Sequence, residues 1–307
     1  MTVIWPTLKI RPDKPLDATQ LAILRHVDQV ARSLKLRYFV AGAMARVILL
    51  EHVHGQRPGP ATRDVDFGVT VKDWPTFLSL KNGLIETEAF ETAPDAVQRL
   101  IYILSPHRPW IDLVPFGGIE QDGRMITWPP DRAMVMNVAG FSEAADAAVE
   151  VEIVPDLTVA VASLPSLAVL KLITWLDRWP ENRGKDAQDF FHVLSKYAEA
   201  GNMDRLYDSE QALMARADFD PDLAGAGLLG REAAQRCLPE TASLITQLFS
   251  DSKQFERFTG HILSKVQMGS DSASAEKVRR YLELFITVFN ERNSSNQNQI
   301  SSLRTRT

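Results

Sequence analysis

Two acidic residues stand inside a segment that otherwise alternates as a half-buried strand does, Asp64-Val65-Asp66-Phe67-Gly68-Val69-Thr70-Val71. Residues two apart on a strand point to the same face. Val65, Phe67, Val69 and Val71 therefore fill a core, and Asp64 and Asp66 come out together on the opposite side. Two carboxylates held that close repel unless a cation sits between them. Hard oxygen donors of this kind suit Mg²⁺, which commonly takes one or two protein carboxylates plus substrate phosphates. Upstream, the apolar run Tyr38-Phe39-Val40-Ala41 ends at Gly42, and downstream a third carboxylate lies in Trp110-Ile111-Asp112-Leu113-Val114. An aspartate on a neighbouring strand would complete a two-metal site for phosphoryl or nucleotidyl transfer. The bland alternatives are a solvated strand edge for Asp64 and Asp66 and a backbone-capping role for Asp112.

The texture of the chain changes near residue 160. Before it, short apolar strands alternate with helices. Leu21, Leu24, Val27, Ala31 and Leu34 recur at helical spacing behind the candidate N-cap Asp17. Residues 37–41 read as a strand, 44–54 as a helix after the Gly42 turn, and 54–61 as a Gly/Pro-rich loop. Leu100–Leu104 and Trp110–Val114 read as a hairpin, and Val149–Ile153 as a strand. From Ser163 the pattern is helical throughout, with helices expected near 163–175, 185–199, 206–216, 228–237, 240–265 and 274–291. The reading is an α/β domain over 1–160, a helical domain over 161–292 and a polar, disordered tail over 293–307.

Individual residues carry further readings. Gly42 suits any tight strand-to-helix turn, and it would also let backbone N–H groups approach a triphosphate. Arg46, one turn into the next helix, is read either as a phosphate or acid partner or as a surface residue. Arg63 is read as a scaffold ion-pair residue. Lys171 lies in Ala168-Val169-Leu170-Lys171-Leu172-Ile173, where a lysine is costly without a task or a partner. It is either a snorkelling side chain or a cation for the β/γ-phosphates of a nucleotide. Asp186 and Asp189, three apart, share a helix face next to Lys185, and their plain reading is acids placed to suit a helix dipole.

Taken together, Thr62-Arg63-Asp64-Val65-Asp66-Phe67, Asp112-Leu113-Val114-Pro115-Phe116-Gly117, Leu170-Lys171-Leu172 and Gly184-Lys185-Asp186-Ala187-Gln188-Asp189 resemble the AbiEii-like branch of the DNA polymerase β-type nucleotidyltransferases. These are toxins of bacterial abortive-infection and toxin–antitoxin systems. The resemblance spans roughly residues 35–200. It departs from the superfamily at Ala43, where the turn usually carries Gly or Ser, and in a longer gap from Gly42 to Asp64. It implies a polymerase β-like domain with a mixed sheet, followed by a helical domain. It implies a Mg²⁺-dependent nucleotidyltransferase, with Asp64, Asp66 and Asp112 at the metals and Asp112 as a candidate base for the acceptor hydroxyl. Gly42, Ala43, Arg46 and Lys185 would contact substrate. Lys171 would meet the phosphates, and Asp186 would act at the nucleotide or orient Lys171. NTP is the implied donor, an RNA or tRNA end the implied acceptor, and a cognate antitoxin the implied partner. A protein or small-molecule hydroxyl is the competing acceptor. A non-catalytic binding module and a sugar-nucleotide glycosyltransferase are the competing classes.

Composition narrows the rest. The 307 residues, 45% of them hydrophobic, are enough for one large or two modest domains. A net charge of −5 argues against a protein that coats nucleic acid through an overall basic surface, though not against a local basic groove. The single cysteine, Cys237, fits a reducing compartment. With neither a signal peptide nor an 18-residue apolar run legible, a cytoplasmic protein without a membrane span is expected. Gly225-Ala226-Gly227-Leu228-Leu229-Gly230 spells a dinucleotide-binding fingerprint but follows no strand, so it reads as a loop and helix start.

Overall fold

The alternation over 65–71 is realised as strand β3 (Val65–Val71), with Val65, Phe67, Val69 and Val71 all buried. In this computed structural model residues 7–304 are described, apart from 60, 61, 63, 95, 123, 131–133, 181–183 and 267–271. Arg63, the end of the 54–61 loop and the first six residues of the lead-in therefore lie outside the described residues. The chain divides into two units, 1–163 and 164–307.

The first unit is built on a mixed sheet. Its strands are β1 (Leu8–Lys9), β2 (Tyr38–Ala41), β3, β4 (Phe90–Thr92), β5 (Arg99–Tyr102), β6 (Trp110–Gly117), β9 (Val149–Val154) and β10 (Leu157–Val161), in the order β1-β9-β10-β2-β3-β6-β5-β4. Strand β3 runs antiparallel to β2 and parallel to β6, and β5 pairs antiparallel with β6 as the expected hairpin. A separate ribbon pairs β7 (Met125–Thr127) with β8 (Val135–Asn137).

Local chemistry sets the helices of this unit. Helix α1 (Ala18–Ser33) opens on a capping box in which the Asp17 side chain accepts from the Gln20 backbone N–H. Its Ile23, Leu24, Val27, Val30 and Ala31 form the buried stripe. Helix α3 (Trp74–Glu86) opens on Asp73, whose carboxylate accepts from the Thr76 backbone N–H. Helix α2 (Gly42–Val47) starts at Gly42 with φ +60° and passes into a π-helical segment, Ile48–Val53. A short helix α4 (Phe141–Asp146) precedes β9.

Among the described residues the regular elements of the second unit are helices: α5 (Leu164–Arg178), α6 (Lys185–Lys196), α7 (Met203–Asp208), α8 (Gln211–Arg216), α9 (Pro221–Arg236), α10 (Pro239–Ser250), α11 (Ser252–Val266) and α12 (Ser272–Arg304). The helix expected over 240–265 is two, because the Asp251 carboxylate accepts from the backbone N–H groups of Lys253 and Gln254 and starts a new one. The polar stretch from Asn293, expected to be disordered, continues α12 as far as Arg304. Extending a helix that already exists avoids the cost of nucleating one.

The glycine fingerprint is neither loop nor helix start but lies inside α9. A Cβ on Gly225 would meet Ala198 at 2.8 Å, one on Gly227 would meet Leu213 at 2.7 Å, and one on Gly230 would meet the Phe285 carbonyl oxygen at 2.3 Å. These glycines are contact points where α9 packs against its neighbours, and that packing outweighs their low helix propensity, about 1 kcal/mol each.

Gly230→Ala must push the Phe285 backbone away and is expected to lower stability by about 1–3 kcal/mol. Gly260, in α11, has nothing within 4 Å of a built Cβ. Gly260→Ala is therefore expected to raise stability by about 0.5–1 kcal/mol. Urea midpoints at unchanged m-value check both, and equal behaviour of the two variants would contradict the packing of α9.

Candidate active site

The register of four strands lines up the chemistry of the first unit. Ala41 of β2 opposes Asp66 of β3, Asp66 opposes Asp112 of β6, and Asp112 opposes Arg99 of β5. Neighbouring strands lie about 4.8 Å apart and residues in register share a face, so Asp66, Asp112 and Arg99 form one row. Asp64 immediately precedes β3. Asp64, Asp66 and Asp112 are each half-buried.

Next to Ala41 the chain turns at Gly42 into α2. A Cβ built on Gly42 would fall 1.7 Å from Asp66 Oδ2 and 2.7 Å from Asp66 Cγ. The Asp66 carboxylate thus occupies the space that any other side chain at 42 would fill, and φ of +60° independently favours glycine there. Ala43 follows at 5% exposure, so the residue that departs from the superfamily pattern packs inward.

Asp112 is held from its other side. Arg99 Nε and Nη2 donate to Asp112 Oδ1 and Oδ2, each at 2.8 Å, and the guanidinium lies 4.3 Å from the centre of the Trp110 ring. This bidentate clamp uses one lone pair on each carboxylate oxygen and leaves each oxygen a further acceptor site. Sequence reasoning missed Arg99. Its signal was the hairpin itself, since fixing the register of the two strands pairs position 99 with position 112.

Arg46 is not a surface residue. It is 1% exposed, with Nη1 4.0 Å from Glu51 Oε1. Glu51, on the π-helical segment, also accepts from the Gly59 backbone N–H at 3.0 Å.

Lys171, Asp186 and Asp189 form a second cluster, within the helical unit. Lys171 Nζ on α5 lies 2.9 Å from Asp186 Oδ1 and 2.8 Å from Asp189 Oδ2 on α6. All three are buried, at 9%, 4% and 4% exposure. Burial pulls the lysine pKa down, but the two carboxylates outweigh it and hold the ammonium above its ordinary range. Lys171 is therefore buried and ion-paired rather than snorkelling, and its role toward a nucleotide phosphate stays a proposal. Asp186 Oδ1 accepts a hydrogen bond from Lys171 Nζ at 2.9 Å. Lys185 begins α6 and is exposed.

The donor set of the first unit is carboxylate oxygen, the chemistry that Mg²⁺ selects, and Gly42 leaves open the space that Asp66 uses. The residues fit a divalent cation in that sense. Among the described residues no three His, Cys, Asp or Glu side chains already form a closed metal centre.

The family model "Nucleotidyl transferase AbiEii toxin, Type IV TA system" matches residues 48–282. The match opens after the Gly42 turn and runs from the π-helical segment into α12. A search of curated proteins gave no match. Among solved structures the chain is similar to the antibiotic-resistance factor ANT(2'')-Ia, at 12% identity and a TM-score of 0.37, covering 66% of this chain and 98% of that one. It is similar to an antigenic nucleotidyltransferase-like protein from Paracoccidioides brasiliensis, at 16% identity and a TM-score of 0.40, covering 66% of this chain and 94% of that one. It is also similar to a tRNA nucleotidyltransferase complexed with a primer tRNA and an ATP analog, at 14% identity and a TM-score of 0.22, covering 91% of this chain and 98% of that one. Likenesses this distant carry no weight for the site or its substrates.

Lys171→Met removes the ammonium that contacts both buried carboxylates. Breaking a buried pair in this way is expected to cost about 3–5 kcal/mol. Chemical denaturation checks it, and a variant as stable as the parent or more so would show that Asp186 and Asp189 do not depend on the lysine.

Proposed function

The chain belongs to the AbiEii nucleotidyltransferase toxin family, and from that premise we propose that it transfers a nucleoside monophosphate from an NTP to an acceptor hydroxyl at the row Gly42–Asp66–Asp112. The observation that carries the proposal is the approach of Asp66 to Gly42. A carboxylate pressed against a glycine turn, with a second carboxylate in register on the next strand, gives a compact oxygen-rich face beside backbone N–H groups. That face suits a polyphosphate and its counter-ion.

In this reading Gly42 keeps the turn bare so that the triphosphate and Asp66 can both reach it. Asp66 and Asp64 are the Mg²⁺ ligands, with Asp112 completing the set through the acceptor sites that Arg99 leaves on its oxygens. The bound cation would supply charge neutralisation at the transferred phosphate. Arg99 fixes the position of Asp112. Asp112 is also the candidate base for the acceptor hydroxyl, since each of its oxygens keeps an unused lone pair. Arg46, buried beside Glu51, supports the turn from behind rather than meeting substrate. Lys171 and Asp186 hold α5 to α6, and Lys185 remains a substrate-contact proposal because it is exposed.

The family's place in type IV toxin–antitoxin systems supports a growth-inhibiting toxin. It also supports proposing a cellular RNA, such as a tRNA end, as acceptor and a cognate antitoxin as protein partner. Among the described residues no helix is long and apolar enough to cross a membrane. A cytoplasmic location is proposed together with the RNA acceptor.

Asp66→Ala is expected to abolish transfer of label from an α-labelled NTP to RNA while leaving the melting temperature nearly unchanged, because a half-buried carboxylate is lost and no core group. A variant retaining more than about a tenth of the parent rate would remove Asp66 from the chemistry, since one lost metal ligand is expected to cost more than about 1.4 kcal/mol of barrier.

A further inference from the structure

Trp110 stands on the same sheet face as the carboxylate row. Burial alternates along the start of β6, with Trp110 exposed, Ile111 buried, Asp112 half-buried and Leu113 buried. Residues two apart share a face and lie about 6.6 Å apart along a strand, so the indole sits one step along from Asp112. Continuing the β3–β6 register past the Val65–Ile111 pair brings Asp64, which precedes β3, alongside it. Trp110 is 42% exposed. The other two tryptophans described in the first unit pack together, with Trp128 1% exposed and its ring 5.1 Å from that of Trp74.

The fold asks little of this indole. Trp110 pairs with Ile101 across the hairpin, and Arg99 lies on the diagonal, where long side chains meet. The Arg99 guanidinium, 4.3 Å from the ring centre, covers one side of the ring while the same group donates to both oxygens of Asp112. Those two hydrogen bonds already fix Arg99, and a cation–π contact at a partly exposed position adds little to them. A flat apolar surface is thus left in water beside the acids of a nucleotide site. Nucleobases stack on such surfaces, and on guanidinium planes, through their own flat faces.

We infer that Trp110 is a stacking platform for a substrate nucleobase, holding it beside the carboxylate row while the phosphate or hydroxyl of the same nucleotide reaches that row. The inference rests on the nucleotidyltransferase reading and adds a substrate-binding residue to it. The base of the donor NTP and the last base of an acceptor strand offer the same chemistry, and the kinetics separate them. Contact through the π-face accepts any of the bases. Bracing and stacking leave different signatures. A tryptophan that only braces Arg99 acts through Asp112 and changes kcat, whereas one that holds a base changes KM.

Steady-state transfer from an α-labelled NTP to total cellular RNA, each substrate varied in turn, tests it on the full chain and on Trp110→Ala, Trp110→Leu and Trp110→Phe. The alanine and leucine variants are expected to raise the KM of one substrate by about tenfold or more, a larger factor than their loss in kcat. Phenylalanine keeps an aromatic face and is expected to stay within about threefold of the parent KM. A moved NTP KM assigns the base to the donor, and a moved RNA KM assigns it to the acceptor. Unchanged KM values for both substrates, with or without a fall in kcat, would overturn the inference, as would leucine performing as well as phenylalanine. Should the alanine variant fail to fold, the leucine–phenylalanine pair carries the same comparison. Fluorescence titration with NTP and with a short single-stranded RNA reads stacking without turnover: the parent is expected to be quenched by one of them and Trp110→Phe to lose that quenching. Equal quenching in both proteins, or none in the parent, would also overturn the inference. A parent that shows the Trp110-dependent quenching but transfers no nucleotide would instead count against the nucleotidyltransferase reading.

Discussion

The structure of the first unit turns on one close approach, the Asp66 carboxylate against the bare backbone of Gly42. A Cβ at position 42 would overlap Asp66 Oδ2, so the sharp end of β2, the start of α2 and the placement of the acid are one constraint. The sheet transmits it. Because β3 pairs with β2 on one side and β6 on the other, fixing Asp66 beside the turn also fixes Asp112 one strand away. Arg99 on β5 then holds Asp112 with two hydrogen bonds. Four strands thus bring two carboxylates and a guanidinium into line beside the glycine turn, held by backbone register rather than by a loop, as the proposed transfer site requires.

Charge is handled differently in the two units. In the first, carboxylates lie half-buried, where a cation and water can reach them. In the second, Lys171, Asp186 and Asp189 are buried together, and both acids contact the same ammonium. A buried ion cluster is weak evidence for stability in itself but makes each member dependent on the others. The Lys171–Asp186–Asp189 motif thus ties α5 to α6.

Much of the first unit was legible in the sequence because its signals are local. Alternation over 65–71 fixes a strand and its buried face, Gly42 marks the turn, and Asp17 announces a helix start with a carboxylate that caps its own helix. What stayed hidden depended on partners distant in sequence. The Arg99–Asp112 clamp needs the hairpin register, the partners of Lys171 need the packing of α5 on α6, and the buried state of Arg46 needs the π-helical segment that carries Glu51. The glycines of α9 misled for the same reason. Their spacing imitates a phosphate loop, and only the presence of Ala198, Leu213 and Phe285 against them reveals three close helix contacts.

The central claim is that Gly42 exists to admit Asp66 to the site of transfer. Measuring nucleotide transfer by Gly42→Ala, alongside its circular dichroism, tests it most directly. The strain of an alanine at positive φ and the displacement of Asp66 together cost about 2–4 kcal/mol, less than the stability of an ordinary domain. The displaced carboxylate predicts a folded protein whose transfer rate falls at least about a hundredfold, or some 2.7 kcal/mol of barrier. A folded Gly42→Ala protein with the parent's rate would contradict it.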